Sequence, residues 1–146
     1  MHGSPVSAGG RAVDLLKKLV AIPSVTGEEG PLLDFLEEHF AASGFEVEPM
    51  PVSAGGRRNL FVHRGVARVV LSAHADTVPP FFPPRRQGDV LFARGSCDAK
   101  GSLAAQTVAF EDLAAYGASV GLLVLVGEER GSDGAIAANR EPRPRP

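Results

Sequence analysis

From residue 59 onward the chain alternates strand-like and helix-like patterns, and this restricts its fold more than any other feature. Asn59 to His63 and Val66 to Ala73 are apolar runs of strand length, and residues 119–126 form the most apolar run of all. Between the last two, residues 102–116 set Leu103, Val108 and Leu113 among alanines in a helical pattern. Strands joined through helices build an α/β domain, here predicted with a largely parallel centre to its sheet. Val66 to Ala73 is nearly all apolar, which predicts a central strand covered on both faces. A chain of 146 residues suffices for one such domain with a real core.

Ahead of that region, Val13, Leu15, Leu16, Leu19 and Val20 recur at helical spacing. Residues 11–21 are therefore predicted as an amphipathic helix that ends before Pro23. Thr26-Gly27-Glu28-Glu29 has the form of a capping box. Leu32, Leu33, Leu36, His39 and Phe40 continue the 3.6 period toward Gly44, a natural stop, so a second helix is predicted over about 28–43. Phe45 to Glu48 alternates as a strand. Residues 77–88, rich in Pro and Phe, read as loop because proline fixes the backbone and removes donors. Gly131-Ser132-Asp133-Gly134 opens a last helix through Asn139. Glu141 to Pro146 carries three alternate prolines and reads as an extended Pro/Arg tail, separate from a domain at 1–140.

Three clusters of acid and imidazole groups punctuate this frame. His74-Ala75-Asp76 follows the strand that ends at Ala73. In an extended segment residues two apart point the same way, and a metal-bound histidine usually gives its other ring N–H to a carboxylate. The alternative is a hydrogen-bonded buried histidine beside a loop-capping aspartate. Asp98 lies in Arg94-Gly95-Ser96-Cys97-Asp98-Ala99-Lys100-Gly101, a loop leading into a helix. There one carboxylate either bridges two metals or caps that helix. Cys97 reads as a buried or loop thiol rather than a ligand. Glu128-Glu129 follows the most apolar strand, where buried charge is costly unless paired or bound to metal. One of the two could bind metal while the other faces substrate as a general base. The alternative is an acid pair favoured by the dipole of the helix that follows.

The net charge of −2 favours neither nucleic acid nor anionic membrane as a partner. The pairs Arg57-Arg58 and Arg85-Arg86 read as solvated loop charges. With no Trp and one Tyr, base-stacking platforms are not expected. One cysteine excludes an intrachain disulfide and fits a cytoplasmic setting. No run has the length of a membrane helix, and the N-terminus lacks a signal-peptide pattern.

Taken together, Ser72 to Pro79, Arg94 to Gly101 and Gly127 to Ser132, with Ile22 to Glu29 ahead of them, resemble one family. It is the dimetal amidohydrolase and exopeptidase family of acetylornithine deacetylase, succinyl-diaminopimelate desuccinylase, aminoacylase and glutamate carboxypeptidase. The resemblance covers roughly residues 12–139, and Gly127 to Asn139 looks closest to the acetylornithine deacetylase branch. It implies a three-layer α/β/α zinc-peptidase-like catalytic domain with a mixed central sheet, and two Zn²⁺ or Co²⁺ ions in the complete site. His74 would bind the first zinc, and Asp76 would orient His74. Asp98 would bridge the two ions, from a cis Asp98–Ala99 peptide, and Glu129 would bind the second. Glu128 would be the general base, passing a proton from water to the leaving amine. The implied reaction is zinc-dependent hydrolysis of the amide of a small N-acyl amino acid, with a dipeptidase or carboxypeptidase of the same family as the alternative.

The family pattern also requires a later carboxylate, a late histidine and a lid-domain histidine. This chain's other histidines, His2, His39 and His63, all precede the clusters. Glu141-Pro142 only faintly resembles the downstream ligand's neighbourhood. The expectation is thus an amino-terminal part of the catalytic domain without a lid, with partial or no metal occupancy and weak or no activity. Such a piece is expected to self-associate through exposed sheet edges. A non-catalytic, self-associating domain is the alternative of a different class.

Overall fold

A computed structural model of the chain describes residues 7–53 and 55–140; the predicted tail at 141–146, with Glu141 and Pro142, lies outside the described residues. Helix α1 (Ala8–Ala21) starts on Ser7, whose Oγ accepts from Gly10 N at 3.2 Å. Helix α2 (Gly30–Ala42) begins later than predicted because the capping box does not form. Its cap residue, Glu29, makes no capping bond. The Thr26 hydroxyl donates to Asp76 Oδ2 instead, at 2.7 Å. The helix closes as expected on Gly44 (φ 75°), with Phe45 N donating to Phe40 O and Gly44 N to Ala41 O.

Strands β1 (Glu46–Pro51), β2 (Arg58–His63) and β3 (Val69–His74) follow. Next come a short hairpin of β4 (Arg85–Gln87) and β5 (Val90–Phe92), helix α3 (Lys100–Ala115), strand β6 (Val120–Leu125) and helix α4 (Asp133–Arg140). The main sheet is mixed, in the order β1-β2-β6-β3. β3 and β6 run parallel, linked by the predicted α3 crossover, while β1–β2 and β2–β6 are antiparallel. The parallel portion is thus smaller than expected, one pair of three. β1 carries Pro49 and Pro51 and lies on an edge, where missing donors are tolerated.

β6, the most apolar run, is a buried interior strand beside β2. β3 is not central, contrary to the sequence reading. Among the described residues it pairs only with β6, and Val69 and Val70 are 61% and 43% exposed. Apolar periodicity reports what a strand can bury, while its neighbours decide what it does bury. The predicted loop at 77–88 also gives up its last residues to the β4–β5 hairpin. Gln87 pairs with Val90 across a two-residue Gly88-Asp89 connection, with Gly88 at φ 59°.

The core lies on one face of the sheet. Leu60, Val62, Ala73, Leu122 and Val124 meet Leu15 and Leu19 of α1, Leu32, Leu36 and Phe40 of α2, and Leu103 and Phe110 of α3. Phe40 and Phe110 meet edge to face at 6.0 Å. Asn59, one residue out of phase with Leu60, points to the other face. There its Nδ2 donates to Gly134 O of α4 at 2.9 Å. Three helices on one face and a short one on the other make the three layers. No helix among the described residues is long and apolar enough to cross a membrane.

Candidate metal centre

The parallel strands β3 and β6 pair His74 with Leu125 and so end on the same rim of the sheet. Ala75 N extends the ladder to Leu125 O at 2.8 Å. Ligands of α/β sheets gather at such a carboxyl edge. Gly127 (φ 71°) then turns the chain sharply. A Cβ there would lie 1.7 Å from Asp133 Oδ1, so only glycine fits. This turn brings Glu128 and Glu129 back over His74. Asp98 arrives from the other side, on a loop closed by Lys100 N donating to Gly95 O at 2.9 Å. Its peptide with Ala99 is cis, as the resemblance implies.

His74 lies at the centre of these acids. Its Nε2 is 3.1 Å from Asp98 Oδ1 and 3.8 Å from Glu128 Oε2. Its Nδ1 is 3.1 Å from Asp76 O and 3.4 Å from Asp76 Oδ1. Hydrogen bonding to Asp76, then to Asp98, holds the His74 pKa up at about 9 against the opposing effect of burial. Asp76 has no exposed surface, and burial alone would raise its pKa. The donors around it outweigh that: His74, the Thr26 hydroxyl, and the backbone N–H of Glu128 and Glu129 bring the carboxyl down to about 2. Glu129 is pushed up, by burial first and then by the Asp98 charge.

One ligand atom from each of His74, Asp98 and Glu129 can be chosen so that all three lie within 4.8 Å of one another. One imidazole and two carboxylates form the N/O donor set that zinc accepts, with coordination positions left open. A cation placed there would also relieve the mutual repulsion that raises Glu129. The residues therefore fit a divalent metal. Glu128 stays outside the trio with its carboxylate half exposed. Cys97 is exposed rather than buried, and it is not part of the group.

The helix-capping alternatives for Asp98 and for the glutamate pair are not taken. The residue at the α3 cap is Ala99, with no side-chain capping bond, so Asp98 does not cap α3. The acid in the first turn of α4 is Asp133, not Glu128 or Glu129.

Three supporting residues were not legible in the sequence. Thr26 binds Asp76. Asn59 Oδ1 accepts from Val126 N at 3.1 Å and steadies the strand end before the turn. Lys100 is buried, and its Nζ donates to Leu19 O and Ile22 O at 3.0 and 2.7 Å, tying the Asp98 loop to the end of α1. Burial holds its pKa down at about 8. Arg57 also departs from the solvated role expected of it. It grips the buried Glu29 through Nη2–Oε1 at 2.7 Å and Nε–Oε2 at 3.2 Å, and also bonds Asp133. Arg58 pairs with Asp34 and Glu37, whereas Arg85 and Arg86 are exposed as expected.

Residues 70–144, about half of the chain, match the family described as Peptidase family M20/M25/M40. The chain belongs to this family. It is 41% identical over 137 residues to a peptidase M20 domain-containing protein of Schizosaccharomyces pombe, covering 88% of this chain and 34% of the relative. It is 37% identical to a probable carboxypeptidase of Aspergillus clavatus, covering 89% of this chain and 32% of the relative. Among solved structures, a tripeptidase from Staphylococcus aureus superposes with a TM-score of 0.75 at 26% identity, over 92% of this chain and 40% of that one. An M20 family metallo-carboxypeptidase from Sulfolobus solfataricus shares the fold, with a TM-score of 0.70 at 23% identity, over 83% of this chain and 32% of that one. The chain spans about a third of the length of these curated relatives.

Proposed function

We propose that this chain carries part of a two-zinc hydrolase site acting on the amide bond of a small amino-acid derivative. The observation that carries this reading is the convergence of His74, Asp98 and Glu129 at the shared rim of β3 and β6. In this reading His74, Asp98 and Glu129 would hold metal, Asp98 as the carboxylate shared by the site. Asp76 holds Nδ1 of His74, so that Nε2, turned toward Asp98, is the nitrogen offered to a metal. Zinc held there would polarise the scissile carbonyl and lower the pKa of water. Glu128, half exposed and outside the trio, takes the proton from water and delivers it to the leaving amine. A cytoplasmic setting, with Cys97 reduced, suits this chemistry.

Two substrate classes fit the same chemistry. Deacylation of an N-acyl amino acid, of the acetylornithine type, is the reading of the residues around Gly127 to Asn139. Cleavage of a short peptide, at its carboxy-terminal residue or as a dipeptide, is favoured by the names of the relatives, which include a probable carboxypeptidase and a tripeptidase. The test is zinc or cobalt titration of the chain, followed by assays on N-acetylornithine and on dipeptides. Partial metal uptake with weak turnover at most, abolished by Glu128→Ala, is expected. Turnover that survives Glu128→Ala refutes the proton-shuttle role, and a chain that takes up no metal favours the non-catalytic, associating alternative.

A further inference from the structure

Asp76 is the most heavily bonded acid of the centre. A carboxylate offers about four acceptor positions on its two oxygens, and here each has a donor. Oδ1 accepts from Glu128 N at 3.0 Å and lies 3.4 Å from His74 Nδ1, which is also 3.1 Å from Asp76 O. Oδ2 accepts from Glu129 N at 3.1 Å and from Thr26 Oγ1 at 2.7 Å. Three of these donors belong to the site. The fourth, Thr26, comes from the connection between α1 and α2.

That connection is locked to the same rim. Val25 and Thr77 form a parallel bridge, with Thr77 N donating to Ser24 O at 2.9 Å and Thr26 N to Thr77 O at 3.2 Å. The buried Ser24 hydroxyl donates to Ala75 O at 2.8 Å. The Thr26 hydroxyl is therefore presented at a fixed height beside Asp76. The terminal torsion of an aspartate is broad and roughly two-fold, so its bonds alone decide where the two oxygens point. The Thr26 bond is the shortest of the four and charge-assisted.

We propose that Thr26 is a positioning residue of the metal centre: by fixing Oδ2, it sets the plane of the Asp76 carboxylate and through it the aim of His74 and the Glu128–Glu129 turn. The idea rests on the metal-centre reading, and its test separates the two. Zinc affinity of the chain is measured by chelator competition for wild type, Thr26→Val and Thr26→Ser. Amide exchange is followed at Glu128 and Glu129. Thr26→Val keeps the branched shape and removes the hydroxyl. Because Thr26 is one step further from the metal than the usual partners of ligands, worth ten- to hundredfold, zinc binding should weaken about fivefold. Exchange at Glu128 and Glu129 should quicken while the β2 and α3 amides keep their protection, and Thr26→Ser should restore both. Unchanged affinity and exchange in Thr26→Val overturn the proposal. So does a uniform loss of protection along the chain, which would make Thr26 a stability residue only. A wild-type chain that binds no zinc overturns the metal-centre reading and the affinity claim with it. The exchange rates would then decide alone whether Thr26 holds the turn.

Discussion

The Arg57–Glu29 pair offers the sharpest test of the packing. The Glu29 side chain is 1% exposed and receives two bonds from Arg57, which is itself 21% exposed. Replacing Arg57 by Met keeps most of the aliphatic volume and removes the partner of a buried carboxylate. Breaking a buried pair in this way costs about 3–5 kcal/mol. Two features reduce that figure. Glu29 stands at the start of α2, whose dipole repays about 0.3–1 kcal/mol. The partial exposure of Arg57 also lets water approach the vacated position. The lost bond to Asp133, 43% exposed, adds little. Arg57→Met should therefore destabilise by about 2–3 kcal/mol, or roughly 5–10 °C in Tm for a chain of this size. Urea unfolding of Arg57→Met, Glu29→Gln and the double variant measures it. Glu29→Gln should relieve most of the cost in the Arg57→Met background, because a neutral amide is far cheaper to bury alone than a carboxylate. A loss below about 1 kcal/mol, or a double variant as unstable as Arg57→Met, would refute the reasoning.

Two other predictions follow from the same geometry. Gly134→Ala should destabilise by about 2–3 kcal/mol, opposite in sign to the gain that alanine normally brings inside a helix. Its Cβ would lie 2.2 Å from Val126 O and 2.6 Å from Asn59 Oδ1; a Tm at or above wild type would show that the contact relaxes freely. The free edge of β3, with exposed Val69 and Val70, should drive concentration-dependent association visible in sedimentation, and Val69→Lys should suppress it. A wild-type monomer at high concentration would count against edge pairing.

The sheet and its rim were legible because they rest on local signals. The run at 120–126 has the length and composition of a buried strand, and the acid and imidazole clusters follow strand ends directly. What stayed hidden depends on partners distant in sequence. Thr26 and Glu29 fit a capping box as a local pattern, yet their partners are Asp76, 50 positions on, and Arg57, 28 positions on. A tertiary carboxylate and a tertiary guanidinium each outweighed a local amide. Arg57 read as solvent-facing for the same reason, since nothing near it announces a buried acid. The exposure of β3 follows from sheet order, which its own residues do not encode. The β4–β5 hairpin did leave a signal, Gly88-Asp89 between short apolar and basic runs, which the surrounding prolines masked.

The parallel pairing of β3 with β6 also dictates when the centre can exist. Glu129 reaches Asp76 across 53 positions, and Asp98 reaches His74 across 24. The first approach is not possible until the crossover through α3 has closed, and such long-range closure comes late and slowly in folding. A metal ion therefore has no template in the unfolded chain and meets the cup only once it is built. Its whole effect should then fall on the departure from the native state: bound metal slows unfolding and leaves the folding rate alone. A chevron whose folding limb rises with added zinc would contradict this order of events. An ion held there would act as a latch on a closed structure, not as a seed for one that has yet to form.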